Sequence, residues 1–87
     1  MKIAKVTVKA ETGLHARPVI VFVNKAKEFD CDVAVEKDGK SADAKKFLSV
    51  LSLGVVMNDE ITLKTEGEDE EKAITQLKRL VEDNFHV

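Results

Sequence analysis

Apolar and polar residues alternate almost from the first position. In residues 3–8 (IAKVTV), Ala4, Val6 and Val8 fall on one face, and Lys5, Thr7 and Lys9 continue the other. This is the period-2 pattern of a half-buried strand. Glu11, Thr12 and Gly13 break it, and a different period follows. Val19, Ile20, Phe22, Val23, Ala26 and Phe29 gather on one side of a helix. The β-branched and aromatic run at 19–23 would also suit a buried strand. Asn24, Lys25, Lys27 and Glu28 supply a polar face and favour the helix. Pro18 fits its first turn, where a missing N–H costs nothing.

The second half of the chain repeats both periods. Cys31, Val33 and Val35 alternate with Asp32, Ala34 and Glu36, predicting another strand. Asp38-Gly39 is a two-residue hairpin signal, with a short return strand over residues 40–43. Residues 47–53 (FLSVLSL) predict a short helix ended by Gly54, the residue type that tolerates a left-handed cap. Asn58-Asp59 turns the chain into a strand over residues 60–66, with Ile61, Leu63 and Thr65 on one face. Glu68, Asp69, Glu70 and Glu71 place acid at the start of a last helix, complementing its dipole. The stripe of that helix is Ala73, Ile74, Leu77, Leu80, Val81 and Phe85. The order is β-α-β-β-α-β-α. Four strands and three amphipathic helices predict an α+β fold, with the helices on one side of an open sheet.

Length and composition narrow the function. Eighty-seven residues allow one core, so a single domain over 1–87 is expected. Net charge is -2, with no basic block, tryptophan or tyrosine, which argues against nucleic-acid binding. No apolar run approaches the roughly 18 residues of a membrane span, and no secretory signal is expected before the first strand. One cysteine cannot form an internal disulfide, and no Cys/His cluster has zinc spacing. Cys31 reads as a small buried hydrophobe and His86 as a solvated end residue. A cytoplasmic location is expected, without metal or cofactor.

The chemistry concentrates in residues 12–18, Thr-Gly-Leu-His-Ala-Arg-Pro. Taken alone, His15 could be a loop histidine with no task. If Pro18 lies in the first helical turn, however, His15 stands just before a helix N-terminus, whose free N–H groups favour anions such as phosphate. Arg17 adds a planar cation suited to phosphate oxygens. The same positive end disfavours imidazolium and keeps the ring a neutral nucleophile. Such a histidine can accept a phosphoryl group. No GxxxxGK loop is present to bind a nucleotide, so another protein has to supply the phosphate. The residues describe a carrier, not a complete enzyme.

TGLHARP at 12–18, AKKFLSVLSLG at 44–54 and the element order together resemble the HPr family. These are the histidine-containing phosphocarriers of the bacterial phosphoenolpyruvate:sugar phosphotransferase system. The resemblance spans essentially the whole chain. It implies an open-faced β-sandwich, with an antiparallel sheet in the order 1-4-2-3 covered on one side by three helices. It also implies phosphorylation of His15 on Nδ1 by phospho-enzyme I and transfer to IIA domains of sugar permeases, with Arg17 assisting. Thr12, Gly13, Ala16, Pro18 and Ile20, with Phe47, Leu48, Leu51 and Ser52, are expected to form the binding surface. A monomer is expected.

Residues 47–53 carry five apolar side chains, too many for one buried face of a short helix. Phe47, Leu48 and Leu51 share one side, and Val50 and Leu53 share another. Either all five are buried, or one side is a partner surface. The resemblance assigns docking to the 47/48/51 side. Position 46 departs from the family pattern. Many Gram-positive relatives carry a regulatory serine there, phosphorylated by an ATP-dependent kinase, and this chain has Lys46. Control through that serine is therefore in doubt. Ser49 and Ser52 do not match the regulatory register. Two other readings keep the fold: a regulatory phosphorelay of the nitrogen type, and an unphosphorylated binding module using the Phe47/Leu48/Leu51 patch.

Overall fold

Strict alternation in residues 60–66 decides how the sheet is built. A computed structural model describes residues 1–9 and 16–85. Its elements are β1 (Lys2–Thr7), α1 (Ala16–Ala26), β2 (Asp32–Lys37), β3 (Lys40–Asp43), α2 (Phe47–Leu51), β4 (Glu60–Glu66) and α3 (Glu70–Glu82). β4 lies between β1 and β2 in a sheet of order β1-β4-β2-β3, and every pairing is antiparallel. Ile61, Leu63 and Thr65 point to the buried face. Ala4, Leu63, Val35 and Ala42 line up across all four strands. On the other face Ile3, Lys64, Ala34 and Asp43 form the matching row, and all four are exposed or half-buried. A slip of one residue would carry the apolar row into solvent, so burial fixes the register.

The helices cover the buried face. α3 packs on β1 and β4, while α1 packs against α2 and α3. The expected stripe of α3 is buried throughout, including Phe85, whose ring meets Phe22 edge-on at 6.5 Å. In α1, Val19, Phe22, Val23 and Ala26 are buried, but Ile20 is 49% exposed. At about 100° per residue, Ile20 turns to the flank of the face centred on Val19 and Ala26. The helix stops at Ala26, and Phe29 is buried from the turn beyond it. The hairpin turn is as expected, with Asp38 and Gly39 both left-handed at φ 50° and 81°. No helix among the described residues is long and apolar enough to cross a membrane.

Asp69 behaves differently from the sequence expectation. It occupies the N-cap position of α3, yet its carboxylate makes no bond to that helix. Instead Oδ2 accepts the Asp30 N–H and Oδ1 the Cys31 N–H, each at 2.9 Å. The Asp30 amide is the main reason the carboxyl is held below the usual carboxylate range. Cys31 is buried, and its thiol is pushed up to about 11, first by burial and then by the Asp69 carboxylate beside it. Such a thiol is a packing group, not a nucleophile.

Gly67 makes this approach possible. Its φ is 145°, and a Cβ there would fall 2.8 Å from both Cα and Cβ of Cys31. Replacing it combines a strained backbone with a clash against backbone atoms that cannot swing away. Gly67→Ala is expected to cost about 1–3 kcal/mol, a fall in Tm of roughly 4 °C or more for a domain of this size. Thermal unfolding followed by circular dichroism measures it. An unchanged midpoint would mean that the close approach to Cys31 relaxes without cost.

Candidate functional site

α1 begins at Ala16, so Arg17 and Pro18 are its second and third residues. Pro18 stands where the amides have no partner within the helix, and its lack of an N–H leaves nothing unsatisfied. Arg17 is exposed and Pro18 half-buried. Thr12, Gly13 and His15, together with His86, lie outside the described residues. Along the chain His15 immediately precedes the first residue of α1, as the placement of Pro18 predicts.

α2 is shorter than the expected 47–53, ending at Leu51, with Gly54 left-handed at φ 65° three residues later. Its two sides separate as anticipated. Val50 and Leu53 are buried, Phe47 and Leu51 are half-buried against the core, and Leu48 is 72% exposed. The alternative in which all five apolar groups are buried does not hold. Ser52 is exposed, and its hydroxyl donates to the Leu48 carbonyl at 2.7 Å. Because α1 and α2 pack together, their two large exposed apolar side chains, Ile20 and Leu48, belong to one helical layer.

Lys46 is the N-cap residue of α2, with extended φ and ψ of -117° and 115° and no side-chain cap bond. The chain enters α2 through Asp43, whose Oδ1 accepts the Lys45 N–H at 2.9 Å. Lys45 turns back and donates from Nζ to the Phe29 carbonyl at 2.7 Å. Its ammonium is thereby tied to the segment after α1, while Lys46 stays exposed. Arg17 and Lys46 thus place a cation at the start of each of the two helices.

Among the described residues the elements offer open clefts. A cleft of about 370 Å³ opens at the sheet, lined by charges of both signs: Asp32, Asp43 and Glu66 with Lys45 and Lys64. Lys64 is already paired with Glu36 at 2.7 Å, so the cleft has no concentrated positive field to hold an anion. Among the described residues no three His, Cys, Asp or Glu side chains are grouped to hold a metal ion. Residues 55–57 have no period to distinguish them in the sequence, yet Val56 and Met57 are 55% and 46% exposed. Their apolar run after Gly54 was the available signal.

Comparison with known proteins agrees with this arrangement. The family model described as "PTS HPr component phosphorylation site" matches residues 3–83. The HPr-like protein Crh of Bacillus subtilis is 44% identical over 79 residues, covering 91% of this chain and 93% of that protein. The phosphocarrier protein HPr of Vibrio cholerae is 40% identical over 82 residues, covering 94% and 95%. A crystal structure of HPr from Thermoanaerobacter tengcongensis superposes with a TM-score of 0.95 at 44% identity, over 98% of this chain and 96% of that one. A dimer of HPr from the same organism matches at 0.79 and 42% identity over the full length of both chains. With the sheet order, the three covering helices and the sequence all held in common, this chain belongs to the HPr family of phosphocarrier proteins.

Proposed function

We propose that this protein accepts a phosphoryl group from phospho-enzyme I on His15 and passes it to IIA domains of sugar permeases. The observation that supports the reading is the start of α1 at Ala16, with Arg17 in its first turn; His15 is the residue before it in the sequence. In the acceptor step the Nδ1 lone pair of a neutral imidazole attacks phosphorus. The N–P bond forms as the bond to the donor atom breaks, while the ring proton stays on Nε2. The helix end and Arg17 favour the negative phosphoryl oxygens, and they equally disfavour an imidazolium that could not attack. Onward transfer reverses the step with a IIA domain as acceptor. Arg17 supports both directions through charge, and the exposed apolar groups of α1 and α2 supply the partner contact. Thr12, Gly13, Ala16 and Pro18 are the remaining residues of the motif assigned to binding.

The 44% identity to the HPr-like protein Crh, a catabolite repression HPr of Bacillus subtilis, favours a second reading. There the same histidine feeds a regulatory relay. Phosphorylation of His15 is common to both readings, and the identity of the acceptor separates them. A protein that only binds partners, without phosphorylation, would leave Arg17 and His15 without a task.

Reaction with enzyme I and phosphoenolpyruvate is expected to give one acid-labile phosphohistidine signal by phosphorus NMR. It should be absent from His15→Ala, and a phosphorylated His15→Ala protein would remove His15 from the mechanism. Leu48 is the cleanest probe of docking because it is exposed while Phe47 and Leu51 support the core. Leu48→Asp is expected to raise the enzyme I Kd at least about tenfold, or roughly 1.4 kcal/mol, with Tm unchanged. Equal affinity would move the contact elsewhere. At position 46 lysine has no hydroxyl, so incubation with HPr kinase and ATP should leave the protein unmodified by mass spectrometry. Lys46→Ser is expected to restore a phosphorylatable group and to stabilise α2 by about 1 kcal/mol as an N-cap. Phosphate on Ser49 or Ser52, or a Tm that does not rise, would contradict the respective half of that expectation.

A further inference from the structure

The turn that follows α2 is held by a lysine from the end of β2. Lys37 is the last residue of β2, next to the Asp38-Gly39 turn. Its Nζ donates to the Gly54 carbonyl at 2.8 Å and pairs with Asp59 Oδ2, also at 2.8 Å. The lysine side chain is only 17% exposed. Confining a lysine so closely is favourable only where its donors are met, and here two of three are.

Asp59 extends the brace in two directions. Its Oδ2 also accepts the Val56 N–H at 2.9 Å, while its own N–H donates to the Val56 carbonyl at 3.0 Å. Residues 56–59 are therefore closed into a ring of two bonds, with Asn58 left-handed at φ 74°. The backbone of the same corner meets Val8 twice: Val8 N–H donates to the Asp59 carbonyl at 2.9 Å, and Asn58 N–H to the Val8 carbonyl at 2.7 Å. One ammonium thus joins the hairpin end of β2, the end of the α2 segment at Gly54, and the corner that pairs with the chain leaving β1. Asp59 is held below the usual carboxylate range, with the Lys37 bond as the first cause and the Val56 amide as the second.

We propose that Lys37 is a positioning residue for partner docking, fixing the end of the α2 segment and the turn bearing the exposed Val56 and Met57. The proposal rests on the carrier reading above, since it assigns α2 to the docking surface. Lys37 takes no part in the acceptor chemistry in this scheme. Its loss loosens the surface that enzyme I must recognise and leaves the acceptor chemistry alone. The signature is therefore a rise in KM without a fall in kcat. An arginine, which can also donate to two acceptors, should restore it.

The test compares the natural protein with Lys37→Met and Lys37→Arg as phosphoryl acceptors from enzyme I, with amide hydrogen exchange measured on each. Lys37→Met should raise KM by up to about fivefold, the range of a single partly exposed ion pair, with kcat unchanged. Exchange at residues 54–59 should quicken by about tenfold through local opening, while α3 keeps its protection. Lys37→Arg should return both quantities towards the natural values. Faster exchange with an unchanged KM would make Lys37 a structural tie only and overturn the proposal. Unchanged exchange, or a kcat loss at constant KM, would overturn it too. Loss of protection throughout α3 would show global destabilisation, and a Lys37→Met KM defect that Lys37→Arg does not rescue would then count against positioning. If the natural protein accepts no phosphate, the carrier reading falls and takes the docking role with it, while exchange still shows whether Lys37 holds the turn.

Discussion

Two neighbouring backbone amides ending on one carboxylate hold the helical layer in register with the sheet. Asp69 accepts the N–H groups of Asp30 and Cys31, and Lys45 donates to the carbonyl of Phe29. Residues 29–31 are therefore fastened on one side to the start of α3 and on the other to the entry into α2. The same residues are the exit from α1. All three helices meet through this short segment, which has little regular backbone pairing of its own before β2 begins. A backbone group buried without a partner is costly, and the arrangement answers that cost with groups from distant parts of the chain. Gly67 allows it by bringing backbone against Cys31 at a distance no side chain would permit.

Among the described residues, the layer fixed in this way presents helix starts and an apolar patch. A carrier in this family needs such a face, because the phosphoryl group must leave one protein and reach another. An enclosed pocket would protect the group but block the second partner. The patch is graded: Leu48 projects, Phe47 and Leu51 rest against the core, and Val50 is fully inside. Apolar groups that are partly anchored lose little entropy on binding, which favours affinity from a small contact. Arg17 and Lys46 give the face positive charge at the two helix starts, and Lys46 does so where a helix would gain more from a capping oxygen.

Local patterns made most of the fold legible. The alternation in residues 60–66 gave β4 with its ends unchanged, and Asp38-Gly39 gave the hairpin. The stripe of α3 was complete down to Phe85. Errors arose where a pattern borders on another. Ile20 continues an apolar run but turns away from the core at helical pitch, and residues 52–53 look helical although Ser52 already ends α2. The family signature at 12–18 pointed to His15 and Arg17 by residue type and order. Nothing local could indicate Asp69 or Lys37. Asp69 stands in an acidic run that suits a helix start, and its partners are 39 and 38 positions away. Lys37 reads as an ordinary strand-end cation until folding brings Gly54 and Asp59 to it.

The central claim is that the chain carries phosphate between proteins, and its most direct test follows the group through a full relay. Enzyme I, this protein and a panel of purified IIA domains would be mixed with limiting labelled phosphoenolpyruvate, and the label on each protein followed with time. The account predicts that label appears first on this protein and then leaves it for at least one IIA domain. Without this protein, no label should reach the IIA domain. Label that accumulates on the chain and reaches no IIA domain would contradict the carrier role and leave a regulatory end point in its place.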